Sequence, residues 1–259
     1  MDGILNVLKP PGMTSFDVVA YLKGLLETKK IGHAGTLDPQ AAGVLPVCAG
    51  RATKAIEFLM DKDKVYRGEL TLGITTDTQD STGNVLAEVT PRCTDGEIYE
   101  CIKSFEGTHV QIPPMYSAVR VDGKRLYELA RNGVEVDRPG REITIYSIDV
   151  INIERNGRIR VIFDVHCSKG TYIRTLCHDI GERLGCGGHM SFLLRTRAGP
   201  FGISEARTLE ELARLKEEGT LEQALEDVDT LFSGLPSVRI DGPSEKRFRN
   251  GVQIPFNGD

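Results

Sequence analysis

Tryptophan is absent from the 259 residues, and so is any apolar run long enough to cross a bilayer as a helix. A secretory signal is missing as well. Met1-Asp2-Gly3-Ile4 leads straight into an apolar, strand-like stretch, without a basic flank or a small-residue cleavage site. A cytoplasmic protein with no membrane contact is therefore expected. The six cysteines, Cys48, Cys93, Cys101, Cys167, Cys177 and Cys186, include no C-x-x-C pair, which suits reduced structural thiols and argues against a disulfide scaffold. His166, Cys167, Cys177, His178, Cys186 and His189 crowd together in sequence, but the adjacent Cys177 and His178 point to different faces of any helix, so no metal site is expected. A basic surplus is lacking too. The 32 Lys and Arg are outnumbered by 37 Asp and Glu, and a net charge of −5 argues against a generic nucleic-acid binder. The average hides a gradient, because acidic residues gather at 205–229 and leave room for a basic face elsewhere. Neither internal repeats nor low-complexity tracts occur, and 40% hydrophobic with 27% charged residues is an ordinary globular composition. At this length, one large catalytic domain with an appendage and two similar halves are both open.

What is present reads as follows. Ile4 to Leu8 predicts a strand stopped by Pro10-Pro11-Gly12, after which Ser15 is placed to cap a helix with an apolar stripe of Val18, Val19, Leu22, Leu25 and Leu26. Residues 29–50 read as a long ordered loop entering a strand at 44–48, then a helix through Ala55, Phe58 and Leu59. Residues 65–72 alternate as a half-buried strand. The polar stretch 75–84 predicts a functional loop on the active face. A helix near 95–105, a strand near 107–112, a hairpin around Asp122-Gly123 and a helix over 124–132 follow. Two strands, 142–154 and 158–166, are joined by Asn156-Gly157, a hairpin signal that makes them antiparallel neighbours. Residues 171–184 read as helix, 190–195 as strand, and 208–227 as two short acidic helices broken at Gly219. Helices and strands do not alternate regularly, which predicts an α+β fold with a mixed, mainly antiparallel sheet flanked by helices and loops.

Three segments can carry chemistry. GHAGTLDPQAAGVL (32–45) sets Asp38 before Pro39 in a glycine-rich loop, as a rigid catalytic carboxylate or as an aspartate capping a turn. CSKGTYIRTLCHDIG (167–181) places Tyr172 and Arg174 in the first turn of a helix. A cation there opposes the helix dipole, so Arg174 needs a carboxylate such as Asp38, unless it is simply solvated. KVYRGELTLG (64–73) puts Tyr66 on a strand, as core packing or as a stacking platform.

Together with KPPGMTS (9–15), DTQDSTG (77–83), QIPPMYSAVRVDGKRLYELAR (111–131) and the continuation of the second segment to Thr196, these motifs resemble, in order, the bacterial tRNA pseudouridine synthase B family over about residues 3 to 235. The resemblance implies that Asp38 is the nucleophile, that Tyr66 stacks on a flipped base, that Tyr172 contacts the nucleotide and that Arg174 pairs with the aspartate. It also places His33 where the base leaves its loop, Leu193 in the nucleotide pocket and Asp80 at a polar pocket position. The implied substrate is uridine 55 in the T-arm of tRNA, handled without metal or organic cofactor, by a monomer with no obligatory protein partner. Domains are expected at 1–234 (catalytic) and 235–259, where the segment is too short for the family's complete RNA-binding PUA domain and reads as a truncated, PUA-like appendage. Arg120 stands where the family often has Lys. Two other readings compete. SKGT between strand and helix suggests a phosphate-binding transferase but lacks the G-x-x-x-x-G-K spacing, and an RNA-folding chaperone would not need Asp38. Asp80-Ser81-Thr82-Gly83 lacks the apolar residues and second copy of an aspartic protease.

Overall fold

The computed structural model describes residues 1–254 except 118, 122, 233, 237 and 241. The chain opens with β1 (Gly3–Lys9), α1 (Ser15–Leu25), β2 (Ile31–His33), β3 (Ala42–Ala49) and α2 (Ile56–Met60). Next come β4 (Lys64–Leu72), a small hairpin of β5 (Ile74–Thr76) and β6 (Val85–Glu88), α3 (Asp95–Lys103) and β7 (Gly107–Gln111). β8 (Arg120–Val121), β9 (Lys124–Arg125) and α4 (Leu126–Arg131) precede the long pair β10 (Arg141–Glu154) and β11 (Arg160–Cys167). α5 (Ile173–Arg183), β12 (Gly188–Ala198), β13 (Phe201–Gly202), α6 (Leu209–Glu217), β14 (Leu225–Glu226) and α7 (Pro243–Arg249) complete it.

Among the described residues the main sheet runs β14-β1-β3-β12-β4-β11-β10-β7, with β2 on β3 and β13 on β12. Its pairs are antiparallel except where β12 runs parallel to β3, with Leu194 opposite Ala42 and Arg195 opposite Gly43. This is the mixed, mainly antiparallel sheet of the α+β expectation. The alternation of each strand then divides the core. Leu5 and Val7 of β1 pack with Leu45, Val47, α1 and α6, while Ile4 faces the opposite side with Val44 and Cys48. Farther along, α3 and α5 cover β4, β10 and β11 through Ile98, Ile102, Leu176 and Ile180 against Leu70, Ile145, Phe163 and Val165.

Several local expectations are corrected. The cap of α1 is Thr14, which exchanges hydrogen bonds with Asp17 in a capping box, and Ser15 is the first helical residue. The 29–50 segment is not loop throughout, since Ile31–His33 pairs with β3. Tyr172 caps α5 with extended backbone and does not enter its first turn, whereas Arg174 does. The helix expected over 124–132 begins at Leu126, because 124–125 form β9 of the hairpin; its Asp122 lies outside the described residues.

Candidate active site

The loop 34–41 projects between β2 and β3, and distant groups fix its backbone. Lys9, fully buried at the end of β1, donates from Nζ to the carbonyls of Pro10 (2.8 Å), Pro39 (3.1 Å) and Ala41 (2.7 Å). Burial holds this ammonium down at about 8, although the nearby Asp38 charge favours its protonated form. Ser15, freed from capping, accepts from the Leu37 amide at 2.9 Å. The Gly12 amide donates to Pro39 and that of Ala34 to Pro46. Arg195, also buried, donates from Nε to Val44 and from Nη2 to Gly35. A loop tied this way presents Asp38 with little freedom.

Arg174 meets it from α5. Its Nε lies 3.0 Å from Asp38 Oδ2 and its Nη2 donates to Asp38 Oδ1 at 3.3 Å, a two-point contact. Nη2 also donates to Tyr116 O at 2.8 Å, and Nη1 donates to Thr78 O at 3.4 Å while standing 3.7 Å from Asp80 Oδ2. The arginine side chain is only 6% exposed, but Asp38 keeps 38% of its side chain open, toward the cavities. The protein around the carboxyl raises its pKa above the ordinary 3.8 chiefly by desolvation; Arg174 opposes that rise, Asp80 adds to it and Lys9 opposes it.

Two cavities flank Asp38. The one of about 280 Å³ is lined by Asp38, Lys64, Tyr66, Tyr172, Arg174 and Leu193, among others. The second, about 230 Å³, is walled by Asp38, Asp80, Phe192 and Leu193. Asp38 and Leu193 of β12 line both cavities. Tyr66 stands on β4 opposite Arg195, and burial pushes its phenol pKa up. Tyr172 is held by its backbone: its amide donates to Gln111 Oε1 at 2.8 Å and its carbonyl accepts from Gln111 Nε2 at 3.0 Å. Asp80 Oδ1 accepts from Thr78 Oγ1, Thr82 N and Thr82 Oγ1, which leaves Oδ2 toward Arg174. A larger cavity of about 750 Å³, beside Cys93 and Cys186, holds none of the candidate residues.

The fold therefore brings Asp38, Tyr66, Asp80, Tyr172, Arg174 and Leu193 together. His33 is not on the walls of either cavity. It sits half-buried on β2 opposite Val47, and burial plus the Arg195 charge hold its imidazole below the ordinary 6.5. Lys9, Ser15, Gln111 and Arg195 support the site and were not identified from sequence. Only Lys9 carried a signal, as a cation closing a mainly apolar strand. Among the described residues no group of three or more His, Cys, Asp or Glu is arranged to hold a metal ion.

The mixed sheet carries Asp38, clamped by Arg174 with Asp80 close by, beside Tyr66 and Tyr172, and the fold is that of a pseudouridine synthase. Within that class the chain belongs to the TruB family: residues 23–173 match the N-terminal domain of the TruB family pseudouridylate synthases, and 174–233 match the tRNA pseudouridylate synthase B C-terminal domain. It is 52% identical over 257 residues to tRNA pseudouridine synthase B of Alkaliphilus oremlandii, covering 99% of this chain and 84% of that protein. Identity to tRNA pseudouridine synthase B of Symbiobacterium thermophilum is 49% over 253 residues, covering 97% and 83%. Among solved structures, a Cbf5-Nop10-Gar1 complex contains a chain superposing with a TM-score of 0.70 at 35% identity, over 88% of this chain and 61% of that one. An H/ACA ribonucleoprotein bound to a substrate RNA containing 2'-deoxyuridine gives 0.66 at 32%, over 88% and 60%. The chain thus spans about three fifths of those solved chains.

Proposed function

We propose that this protein isomerises uridine 55 in the T-loop of tRNA to pseudouridine, with Asp38 as the nucleophile. The observation that carries the reading is the Asp38 carboxylate, paired with Arg174 and facing a cavity walled by Tyr66, Tyr172 and Leu193. The reaction breaks the bond from C1′ to ring N1, turns the base, joins C1′ to C5, releases the C5 proton and protonates N1, so atoms and electrons balance without a redox partner. One ionised carboxylate in a closed pocket meets that demand. Arg174 keeps the carboxylate charged against the desolvation that raises its pKa. The base must first leave its stack, at a cost of a few kcal/mol, which stacking on an aromatic ring such as Tyr66 offsets. His33, outside the cavity walls, would meet the RNA beside the vacated base position. The names of the curated relatives favour tRNA as the substrate.

The same reading has the protein act as a monomer in the cytoplasm on the T-arm, without an obligatory protein partner, and assist tRNA folding through the same surface. No helix among the described residues is long and apolar enough to cross a membrane. On this reading the catalytic unit ends near residue 234, which is supported by Leu231 being the last buried apolar side chain among the described residues and by the mainly exposed described residues from 235 onward. The test is incubation with an unmodified tRNA transcript and pseudouridine mapping at single-nucleotide resolution. Conversion at position 55 alone is expected; absence of pseudouridine, or its appearance only elsewhere, refutes the assignment.

A further inference from the structure

Apart from glycines, two described residues have positive φ, Glu27 (52°) and Gln79 (62°). Glu27 follows the C-cap Leu26 of α1, where left-handed backbone is the usual way to end a helix. Gln79 ends no helix. It lies in the turn between β5 and β6, immediately before Asp80, and a long side chain in this conformation carries strain that the surroundings must impose. Those surroundings are specific. The Gln79 amide donates to Thr76 O at 3.2 Å and its carbonyl accepts from Met190 N of β12 at 3.0 Å. Its side-chain Oε1 accepts from Thr175 Oγ1 at 2.9 Å, and Thr175 is buried in α5 next to Arg174. On either side of Gln79, Thr78 offers its carbonyl to Arg174 Nη1 and Asp80 turns Oδ2 toward the same nitrogen.

We infer that Gln79 is a positioning residue for the isomerisation: through its side-chain bond to Thr175 it locks the 77–80 turn onto α5, so that Thr78 and Asp80 hold the Arg174 guanidinium in register with Asp38. The inference rests on the function proposed above. The strained backbone is what aims the amide at Thr175. Glycine, and asparagine more than glutamine, adopts the same backbone readily, but neither reaches Thr175. The tie therefore serves geometry at the expense of local stability, and rate and stability should separate when it is cut.

The experiment compares wild type, Gln79→Gly, Gln79→Asn, Thr175→Val and the double variant Gln79→Gly/Thr175→Val on a tRNA transcript carrying tritium at uridine C5, alongside thermal melting. Both Gln79 variants are expected to lose roughly tenfold to a hundredfold in kcat with KM within about threefold, since small misplacement of a catalytic group costs that much. Their melting temperatures should equal or exceed that of wild type. The double variant should be no slower than the slower single variant. The acid limb of kcat/KM should move to higher pH in Gln79→Gly, because Arg174, which lowers the Asp38 pKa more than Asp80 raises it, is no longer held in register with the carboxylate. Unchanged kcat in Gln79→Gly overturns the inference, as does a fall of kcat and melting temperature together with the acid limb unmoved. Inactivity of the wild-type protein would instead refute the proposed function.

Discussion

In the proposed reaction Asp38 acts only when ionised, yet its burial raises the carboxyl pKa, and Arg174 is the principal group opposing that rise. Activity should accordingly fall as pH drops through a value above the ordinary 3.8. Removing the arginine charge in Arg174→Met should raise the Asp38 pKa, move the acid limb of kcat/KM to higher pH and lower turnover strongly at neutral pH. A pH-rate profile of the purified variant checks this, and an unmoved limb contradicts the pairing. Arg174 also satisfies the Tyr116 and Thr78 carbonyls, so the variant should melt somewhat earlier than wild type. Asp38→Asn keeps the size and removes the charge. At least about 10³-fold should be lost in rate, on the order of 4 kcal/mol of transition-state stabilisation, while tRNA affinity stays within several-fold. Tritium release and filter binding on one preparation measure both, and retained release would remove Asp38 from the chemistry.

The loop that carries Asp38 is only as rigid as the strands beneath it. At the start of β3, Gly43 has φ of 120°, and a Cβ placed there would stand 2.2 Å from the Arg195 carbonyl oxygen. The parallel contact of β3 with β12 therefore needs glycine at this position, and that contact brings the Asp38 loop beside Leu193. Gly43→Ala must push the strands apart or strain the backbone. A loss of about 2–4 kcal/mol is expected, seen as a melting temperature lower by about 5–15 °C, with activity falling too. A variant that melts within about 2 °C of wild type would show that the strands separate without cost.

Across the whole protein the alkaline side of stability is set by groups with displaced pKa values. Lys9 and Lys64 are each held down at about 8 from 10.5 by burial. Between those values the unfolded chain binds more protons than the fold, so these lysines make stability rise with pH. Burial acts oppositely on thiols: Cys48 and Cys167 are pushed up to about 12, Cys186 to about 11, and Cys177 is raised further, all from 9.0. Above 9 the unfolded chain releases thiol protons that the fold retains, so these groups make stability fall. Four such thiols outweigh two lysines, and denaturant unfolding under reducing conditions should show a net decline above about pH 9. A continued rise to pH 10.5 would mean the thiols ionise within the fold. The acidic stretch at 205–229 belongs to this larger view, since α6 packs against α1 and β1 and leaves the Asp38 face to other segments.

Much of this architecture could be read locally. The strands at 65–72, 142–154 and 158–166 and the hairpin at Asn156-Gly157 follow from alternation and turn chemistry, which depend on neighbours in the chain. The motifs around Asp38, Tyr66 and Arg174 also pointed to residues that the fold brings together. What bears on Asp38 is different in kind. Arg174 comes from 136 residues away, and Gln111 reaches Tyr172 across 61. Lys9 clamps Ala41 across 32, and Ser15 bonds Leu37 across 22 because Thr14, not Ser15, takes the cap. The same packing leaves His33 outside the cavity that its neighbour in the motif helps to line. Local propensity carries no information about which distant group will satisfy a buried carbonyl or face a buried charge. Those partners are chosen only when the sheet closes and solvent is excluded, because only then does an unpaired polar group become costly.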